Sequence, residues 1–158
     1  MTDTQNLQPT LFDKIIAGEI PAYFVWEDEQ FVAFLTPFAN TPGATVVVPR
    51  QNPGDYAFNL DDQQLAGLMI ATKKVAKLLE KALDVQRVAM VFEGEAVPHV
   101  HTKLYPMHHM DADRSNNPKQ TVFFPTYPGY VSSIEGPKMD DTQLKEIQQR
   151  IKAVQHEN

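Results

Sequence analysis

A long amphipathic stretch in the middle of this 158-residue chain constrains its fold more than any other feature. From Asp61 onward, mostly apolar side chains recur at the i, i+3, i+4, i+7 spacing that places them on one face of a helix. The positions that follow this spacing are Leu65, Leu68, Met69, Thr72, Val75, Ala76, Leu79 and Leu83. The pattern predicts one main helix over residues 61–83, whose apolar face must pack on a second layer.

Short runs of β-branched and aromatic residues on both sides of this helix indicate what the second layer is. Five such runs predict strands, and they cover residues 23–27, 31–35, 45–48, 86–92 and 97–105. A shorter helix is predicted over residues 11–17, with Thr10 as its N-cap and Gly18 at its end. We therefore predict an α+β fold with a five-stranded antiparallel sheet and one long and one short helix, both on one side of the sheet.

The last third of the chain differs in character from the rest. It contains a loop signal at Asn116-Asn117-Pro118 and a group of aromatic residues, Phe123, Phe124, Tyr127 and Tyr130. A C-terminal helix is predicted after Asp140, with an apolar stripe formed by Leu144, Ile147, Ile151 and Val154. We expect a single domain over residues 1–158, with its core at 10–106 and an extension at 107–158. The aromatic residues either cover their own sheet, close a ligand site or reach a second subunit.

Composition and charge exclude several classes of partner. A net charge of -6 argues against a surface for nucleic acid polymers, because affinity for the phosphate backbone requires clustered Lys and Arg. The chain contains no cysteine, which is compatible with a reducing compartment. It begins without the basic and apolar regions of a leader, and it has no apolar run long enough for a membrane span. We expect a soluble, cytoplasmic protein with no membrane partner.

Two histidines that lie two residues apart provide the main indication of chemistry. Side chains alternate between the faces of a strand, so His99, His101 and Lys103 are predicted to share one face. Imidazole can attack, donate and accept protons near neutral pH, so such a row suits an oxyanion or a phosphoryl group. The alternative is an ordinary half-exposed strand with its polar side chains turned outward.

The segment from Pro98 to Pro106 resembles the signature of the histidine triad (HIT) family, which is His-x-His-x-His followed three residues later by Pro. Its lead-in at 94–99 is similar to a short variant found in some bacterial members. Further matches in family order are 11–22, Glu27-Asp28, 33–35, and Pro42-Gly43 leading into 46–50. The resemblance covers residues 10–106 and implies the fold predicted above.

The resemblance also implies an activity and a set of site residues. Family members hydrolyse or transfer nucleotide phosphates, from nucleoside phosphoramidates or dinucleoside polyphosphates, through a nucleotidyl intermediate on the central histidine, here His101. The other nitrogen of that ring donates a hydrogen bond to the backbone carbonyl of the first histidine, here His99. The residues expected at the nucleoside are Leu11, Phe12, Ile15, Phe34 and Thr36. Taken by themselves, the apolar members of this set are more typical of a core.

Three positions depart from the family pattern and leave other functions open. Lys103 stands at the third histidine, Ala44 stands where a histidine usually follows the Pro-Gly step, and Thr36 replaces the acid that holds the ribose hydroxyls. An ammonium is a poorer proton shuttle than an imidazole, so slower or altered turnover is expected. One alternative is a purine-nucleotide-binding protein with little or no catalysis. A second alternative is a dimeric interaction protein with a relict site.

Metal binding and oligomeric state complete the expectations. No metal or cofactor is expected, because in the family the central histidine attacks phosphorus without one. The competing possibility is a metal ion held by His99, His101 and either His108 or His109, which are otherwise interpreted as loop surface. A homodimer is expected because the family pairs two five-stranded sheets, and because the strand at 86–92 and the long helix have more apolar positions than one small sheet requires.

Overall fold

The structure, a computed structural model, describes residues 8–92, 96–109, 123–126 and 142. The chain divides into two units, residues 1–110 and 111–158, and the elements below all belong to the first. The predicted C-terminal helix lies outside the described residues, apart from Thr142, as do Tyr127 and Tyr130. The single-domain organisation stays a prediction. Within the described part, neither helix combines the length and the apolar character that crossing a membrane requires.

Five strands and two helices form the first unit. In chain order they are α1 (Leu11–Ile16), β1 (Phe24–Glu27), β2 (Phe31–Leu35), β3 (Thr45–Pro49), a 3-10 turn (Ala57–Asn59), α2 (Asp62–Leu83), β4 (Val88–Phe92) and β5 (Thr102–Pro106). The strands form one sheet in the order β1-β2-β3-β5-β4, and every neighbouring pair is antiparallel. This confirms the predicted α+β class, with a five-stranded antiparallel sheet and one long and one short helix.

The two helices pack against opposite faces of the sheet, so the prediction that both lie on one side was wrong. Along β2, Phe31 and Ala33 belong to the cluster built on α2, whereas Val32 and Phe34 belong to the cluster that contains Phe12 of α1. A strand covered on both faces reads as a continuous apolar run, since neither set of alternating side chains meets water. The run at 31–35 has this character, and it is the sequence signal for helices on both faces.

Both helices begin at a capping box, in which the N-cap side chain and the N3 side chain bond each other's backbone N–H groups. In α1 the pair is Thr10 and Asp13, and in α2 it is Asp61 and Gln64. These bonds satisfy N–H groups that have no partner inside the helix, so they determine where each helix starts. The predicted N-cap at Thr10 is confirmed.

Strand β5 begins at Thr102, five residues later than predicted. This first residue of β5 pairs with Val47 of β3 and Phe92 of β4. Farther along β3 stands Pro49, which has no N–H to donate to a neighbouring strand. Other bonds hold the preceding segment instead: the N–H of Val100 donates to the carbonyl of Gly54 at 2.7 Å. The histidines therefore lie in an irregular segment just beyond the sheet.

Candidate active site

His99 is completely enclosed by the start of α1 and the end of β3. Its Nε2 lies 2.8 Å from the carbonyl oxygen of Pro49, which only accepts, so Nε2 carries a proton and donates. Its Nδ1 lies 3.3 Å from Oγ1 of Thr10 and 3.5 Å from Oδ1 of Asp13. Burial lowers the pKa of His99, although the Pro49 hydrogen bond and the Asp13 charge both raise it. The ring is therefore neutral near pH 7, and its Nδ1 carries the lone pair.

His101 is oriented by the backbone of His99. Its Nδ1 lies 2.7 Å from the carbonyl oxygen of His99, so Nδ1 donates and Nε2 of the neutral ring carries the lone pair. The ring of Phe12 meets it edge to face, with 5.0 Å between centroids. His101 is only 2% exposed, so the interpretation of the row as a half-exposed strand is wrong for both histidines. The hydrogen bond from Nδ1 is the one that nucleophilic attack through Nε2 of a neutral ring requires.

Lys103 lies on the α1 face of the sheet. It pairs directly with Val46 of β3 and Val91 of β4, and Val46 in turn pairs with Phe34 of β2. Directly opposed residues on neighbouring strands share a face. Leu104, the next residue, belongs to the cluster on the other face, with α2. The predicted alternation therefore holds where β5 is regular.

Two further positions extend this face. Thr36 and Ala44 directly flank the ends of β2 and β3, and the N–H of Thr36 donates to the carbonyl of Ala44 at 3.0 Å. By strand alternation both continue the α1 face. Oγ1 of Thr36 also accepts a hydrogen bond from the N–H of Phe38 at 3.2 Å. The face that carries Phe12 and Phe34 thus also carries Thr36, Ala44 and Lys103.

Comparison with known proteins identifies this arrangement. The family model described as the HIT domain matches residues 17–110, which is more than half of the chain. The chain belongs to the HIT family. An uncharacterised HIT-like protein from Methanocaldococcus jannaschii is 32% identical over 107 residues, covering 65% of this chain and 82% of the relative.

Solved structures agree with this membership. A protein from Streptococcus mutans matches with a TM-score of 0.70 at 26% identity, covering 96% of this chain and 88% of that one. A HIT family hydrolase from Legionella pneumophila matches with a TM-score of 0.55 at 29% identity, covering 65% of this chain and 96% of that one. The HIT resemblance stated from the sequence is confirmed at the level of family and fold.

The residues expected at the nucleoside are mostly core residues of this HIT fold. Phe12, Ile15 and Phe34 are buried in the cluster on the α1 face, whereas Leu11 is about half exposed. Phe12 contacts Phe34 at 5.5 Å between centroids as well as the ring of His101. The structure brings Phe12 against both histidine rings, and the role of the whole set in binding stays a prediction.

Several partners of the histidine segment were missed in the sequence. The amide of Asn52 donates to the carbonyl of Pro98 at 3.0 Å, and Gly54 accepts from Val100, so the loop after β3 holds this segment. In the sequence, Asp13 stands within the opening motif at 11–22. The Thr10-x-x-Asp13 capping box is visible in the sequence, but nothing local indicates that it also contacts a histidine 89 residues from Thr10.

The possible metal ligands are dispersed. Nε2 of His108 lies 2.8 Å from the carbonyl oxygen of Pro42, and His109 is exposed in the left-handed region at φ 55°. In the ranges 8–92, 96–109 and 123–126, no three His, Asp or Glu side chains are arranged to hold a metal ion. The alternative of a metal bound by His99, His101 and one of this pair has no support there.

Two cavities lie close to this region. One of about 80 Å³ borders His101, but its other lining residues include Phe92 and Val100, which pack on the α2 side. Another of about 620 Å³ lies between the β1–β2 turn, the loop after β3 and the start of α2, and neither histidine lines it. Ligand pockets usually enclose ~300–1,000 Å³, so the cavity beside His101 is too small for a nucleotide as it stands.

Acidification is expected to lower the free energy of unfolding through His99. Burial lowers the pKa of His99 in the folded protein, so the unfolded chain binds its proton first as the pH falls. Stability should therefore decrease from about pH 6.5, the ordinary histidine value, down to the lowered pKa of the folded state. Urea unfolding between pH 5 and pH 8 measures this loss.

His99→Gln should reduce the loss, whereas the control His109→Asn, at an exposed position that Asn tolerates, should keep the wild-type pH dependence. An unchanged pH dependence in His99→Gln would contradict the assignment.

Proposed function

We propose that this HIT protein hydrolyses or transfers nucleotide phosphates through a transient nucleotidyl group on His101. The observation that carries the proposal is the 2.7 Å hydrogen bond from Nδ1 of His101 to the carbonyl of His99. This bond fixes both the orientation of the ring and the nitrogen that carries the lone pair. The relative from Legionella pneumophila, described as a hydrolase, supports the same class of activity.

The reaction has two displacement steps. In the first, the lone pair on Nε2 of His101 attacks the α-phosphorus, the P–N bond forms, and the leaving group departs with its bonding electrons and takes up a proton. In the second, water attacks phosphorus, the P–N bond breaks, its electron pair returns to Nε2, and a proton is lost from the water. Dividing one difficult displacement into two easier ones is the advantage of covalent catalysis. Transfer results when another acceptor replaces water.

The α1 face supplies the groups proposed to hold the substrate. Lys103 contributes a positive charge for phosphate oxygens. Its ammonium acts as a point charge, unlike the planar guanidinium of an arginine. Leu11, which is about half exposed, and the neighbouring Phe12, Ile15 and Phe34 form the apolar surface proposed for the base. Thr36 offers one hydroxyl to the sugar, so ribose should be held less firmly than by a carboxylate. We propose a nucleotide or a nucleoside phosphoramidate as the substrate.

A second candidate is nucleotide binding with little or no turnover. The observation that favours it is that the three departures from the family pattern, Thr36, Ala44 and Lys103, all fall on the face that carries the proposed binding residues. A third candidate, a dimeric interaction protein with a relict site, predicts neither binding nor turnover.

One experiment separates the three candidates. The full chain is incubated with an adenosine phosphoramidate and with a dinucleoside polyphosphate, product is followed by chromatography, and acid-quenched protein is weighed by intact mass spectrometry. Product together with a protein mass increased by one nucleotidyl group supports the proposal. Binding measured by calorimetry without product favours the second candidate, and the absence of binding favours the third.

We also propose a homodimer formed through the β4 edge. Strand β4 lies at the edge of the sheet, and an edge strand presents unpaired N–H and C=O groups to a partner. Met90 on β4 and Met69 on α2 are both exposed apolar side chains. A two-fold arrangement would bury such groups by contact between identical surfaces.

Light scattering at micromolar concentration is expected to give about twice the 17.8 kDa mass of the chain. Met90→Lys should shift the protein toward monomer, because a charge on an edge strand opposes pairing. Phe38→Lys, at an exposed position between β2 and β3, is the control and should leave the dimer intact. A clean wild-type monomer would refute the dimer. The cytoplasmic location stays a prediction.

A further inference from the structure

We propose that Asp13 and Thr10 are positioning residues for the histidine pair, which hold the ring of His99 and, through its backbone, aim His101 at the substrate. The activity part of this inference rests on the proposed function. The part that concerns His99 itself is independent of any substrate.

The capping box of α1 contains more bonds than helix capping requires. Oδ2 of Asp13 accepts from the backbone N–H of Thr10 at 2.7 Å and also from its hydroxyl at 2.8 Å. Oγ1 of Thr10 accepts from the backbone N–H of Asp13 at 3.1 Å. The hydroxyl bond is not part of an ordinary capping box, and it fixes Oγ1 where it meets Nδ1 of His99 at 3.3 Å. The start of α1 and the His99 ring therefore form one polar cluster.

The protons available to His99 and Thr10 determine how this cluster is hydrogen-bonded. With Nε2 of His99 donating to Pro49, the neutral ring offers a lone pair on Nδ1 toward Thr10 and Asp13. Thr10 has a single hydroxyl proton to share between Asp13 and His99. An added proton on Nδ1 would point at the Asp13 carboxylate. Asp13 is thus placed to influence both the protonation of Nδ1 and the orientation of the His99 ring.

The surroundings of His99 leave Asp13 as its charged neighbour. The described groups that face the ring are Thr10, Phe12 and Asp13 from the α1 segment and the carbonyl of Pro49 from β3. Phe12 is apolar and Pro49 offers a neutral acceptor. A side chain that is completely buried senses a nearby charge strongly, because little water screens the interaction.

The same cluster is connected to His101 through the backbone of His99. The carbonyl that accepts the 2.7 Å bond from Nδ1 of His101 belongs to His99 itself. The contacts of the His99 side chain with Thr10 and Asp13 therefore also anchor the backbone at His99, and with it the carbonyl that aims Nε2 of His101. Phe12, between Thr10 and Asp13 in the chain, also packs on both imidazole rings at 6.0 and 5.0 Å between centroids.

The test is Asp13→Asn, which keeps the shape of the side chain and removes its charge. Histidine ring signals followed by NMR during a pH titration should show a lower pKa for His99 in this variant, because a cause that raises the pKa has been lost. With an adenosine phosphoramidate, kcat should fall about 10-fold and KM should stay unchanged, because the loss concerns orientation rather than binding. Thr10→Ser, which keeps the hydroxyl, should retain wild-type kcat.

The matched control is Asp61→Asn, which removes the capping carboxylate of α2. It should leave both the His99 titration and kcat at wild-type values. An unchanged His99 pKa in Asp13→Asn, or equal effects of the two variants, would overturn the inference. If the wild-type protein turns over no substrate but the His99 pKa shifts in Asp13→Asn alone, the proposed function fails and the coupling of Asp13 to His99 stands.

Discussion

Replacing His101 is expected to abolish the nucleotidyl adduct and to lower turnover on the order of 10⁴-fold or more, the scale of loss when a covalent nucleophile is removed. Nε2 of this ring is the atom proposed to bond phosphorus, and no other described imidazole has the same tautomer fixed by a neighbouring carbonyl. Intact mass of acid-quenched protein measures the adduct, and product formation measures turnover.

The choice of replacement matters because the structure buries this ring. His101→Ala removes the contact with Phe12 and the bond to the carbonyl of His99, so it lowers stability as well as activity. His101→Asn is the better variant, because its amide can donate from about the position of Nδ1 and it lacks Nε2. Thermal unfolding of both variants controls for folding. Full turnover in a folded His101→Asn protein would refute the assignment of the nucleophile.

The second large effect is expected at Lys103. Lys103→His would restore the third histidine of the family motif on the α1 face. It would place an imidazole beside the proposed path of the leaving group. If proton transfer to the leaving group limits the reaction, the rate of that step should rise by ~10²-fold, the lower end for a positioned general acid. Rapid-quench measurement of adduct formation isolates this step from the later hydrolysis.

Lys103→Met is the matched control, because it keeps the length of the side chain and removes its charge. A slower first step in this variant shows that the positive charge assists phosphate, and the histidine variant then reports on the proton alone. An unchanged or lower rate in Lys103→His would show that the rest of the site is adapted to lysine.

Most of the secondary structure was predictable because its signals are local. The apolar spacing after Asp61 predicted a helix over 61–83, and α2 spans Asp62–Leu83 with Asp61 as its N-cap. Strand β2 matches its predicted bounds because charged and turn residues flank a short apolar run. The family and the fold class followed from motifs in the right order, and both are confirmed.

The candidate site was predictable in composition and less so in arrangement. The histidines, Lys103 and the apolar set follow from their motifs, and strand alternation gives the face of Lys103 and Phe34, which lie in regular strands. The burial of the two histidines was not predicted, because periodicity shows which face a side chain takes but not what covers it. The contact between Asp13 and His99 escaped prediction for the same reason.

What the sequence determined by itself was the set of elements, their order and the faces of each strand, because spacing, caps and turn residues act over a few positions. Only the tertiary structure decided that α1 covers the opposite face from α2, that β5 starts after the histidines, and that the cap of α1 contacts His99. Each of these depends on groups that are distant in the chain and meet only when the sheet has assembled. Local sequence propensity carries no information about contacts between groups that are distant in the chain.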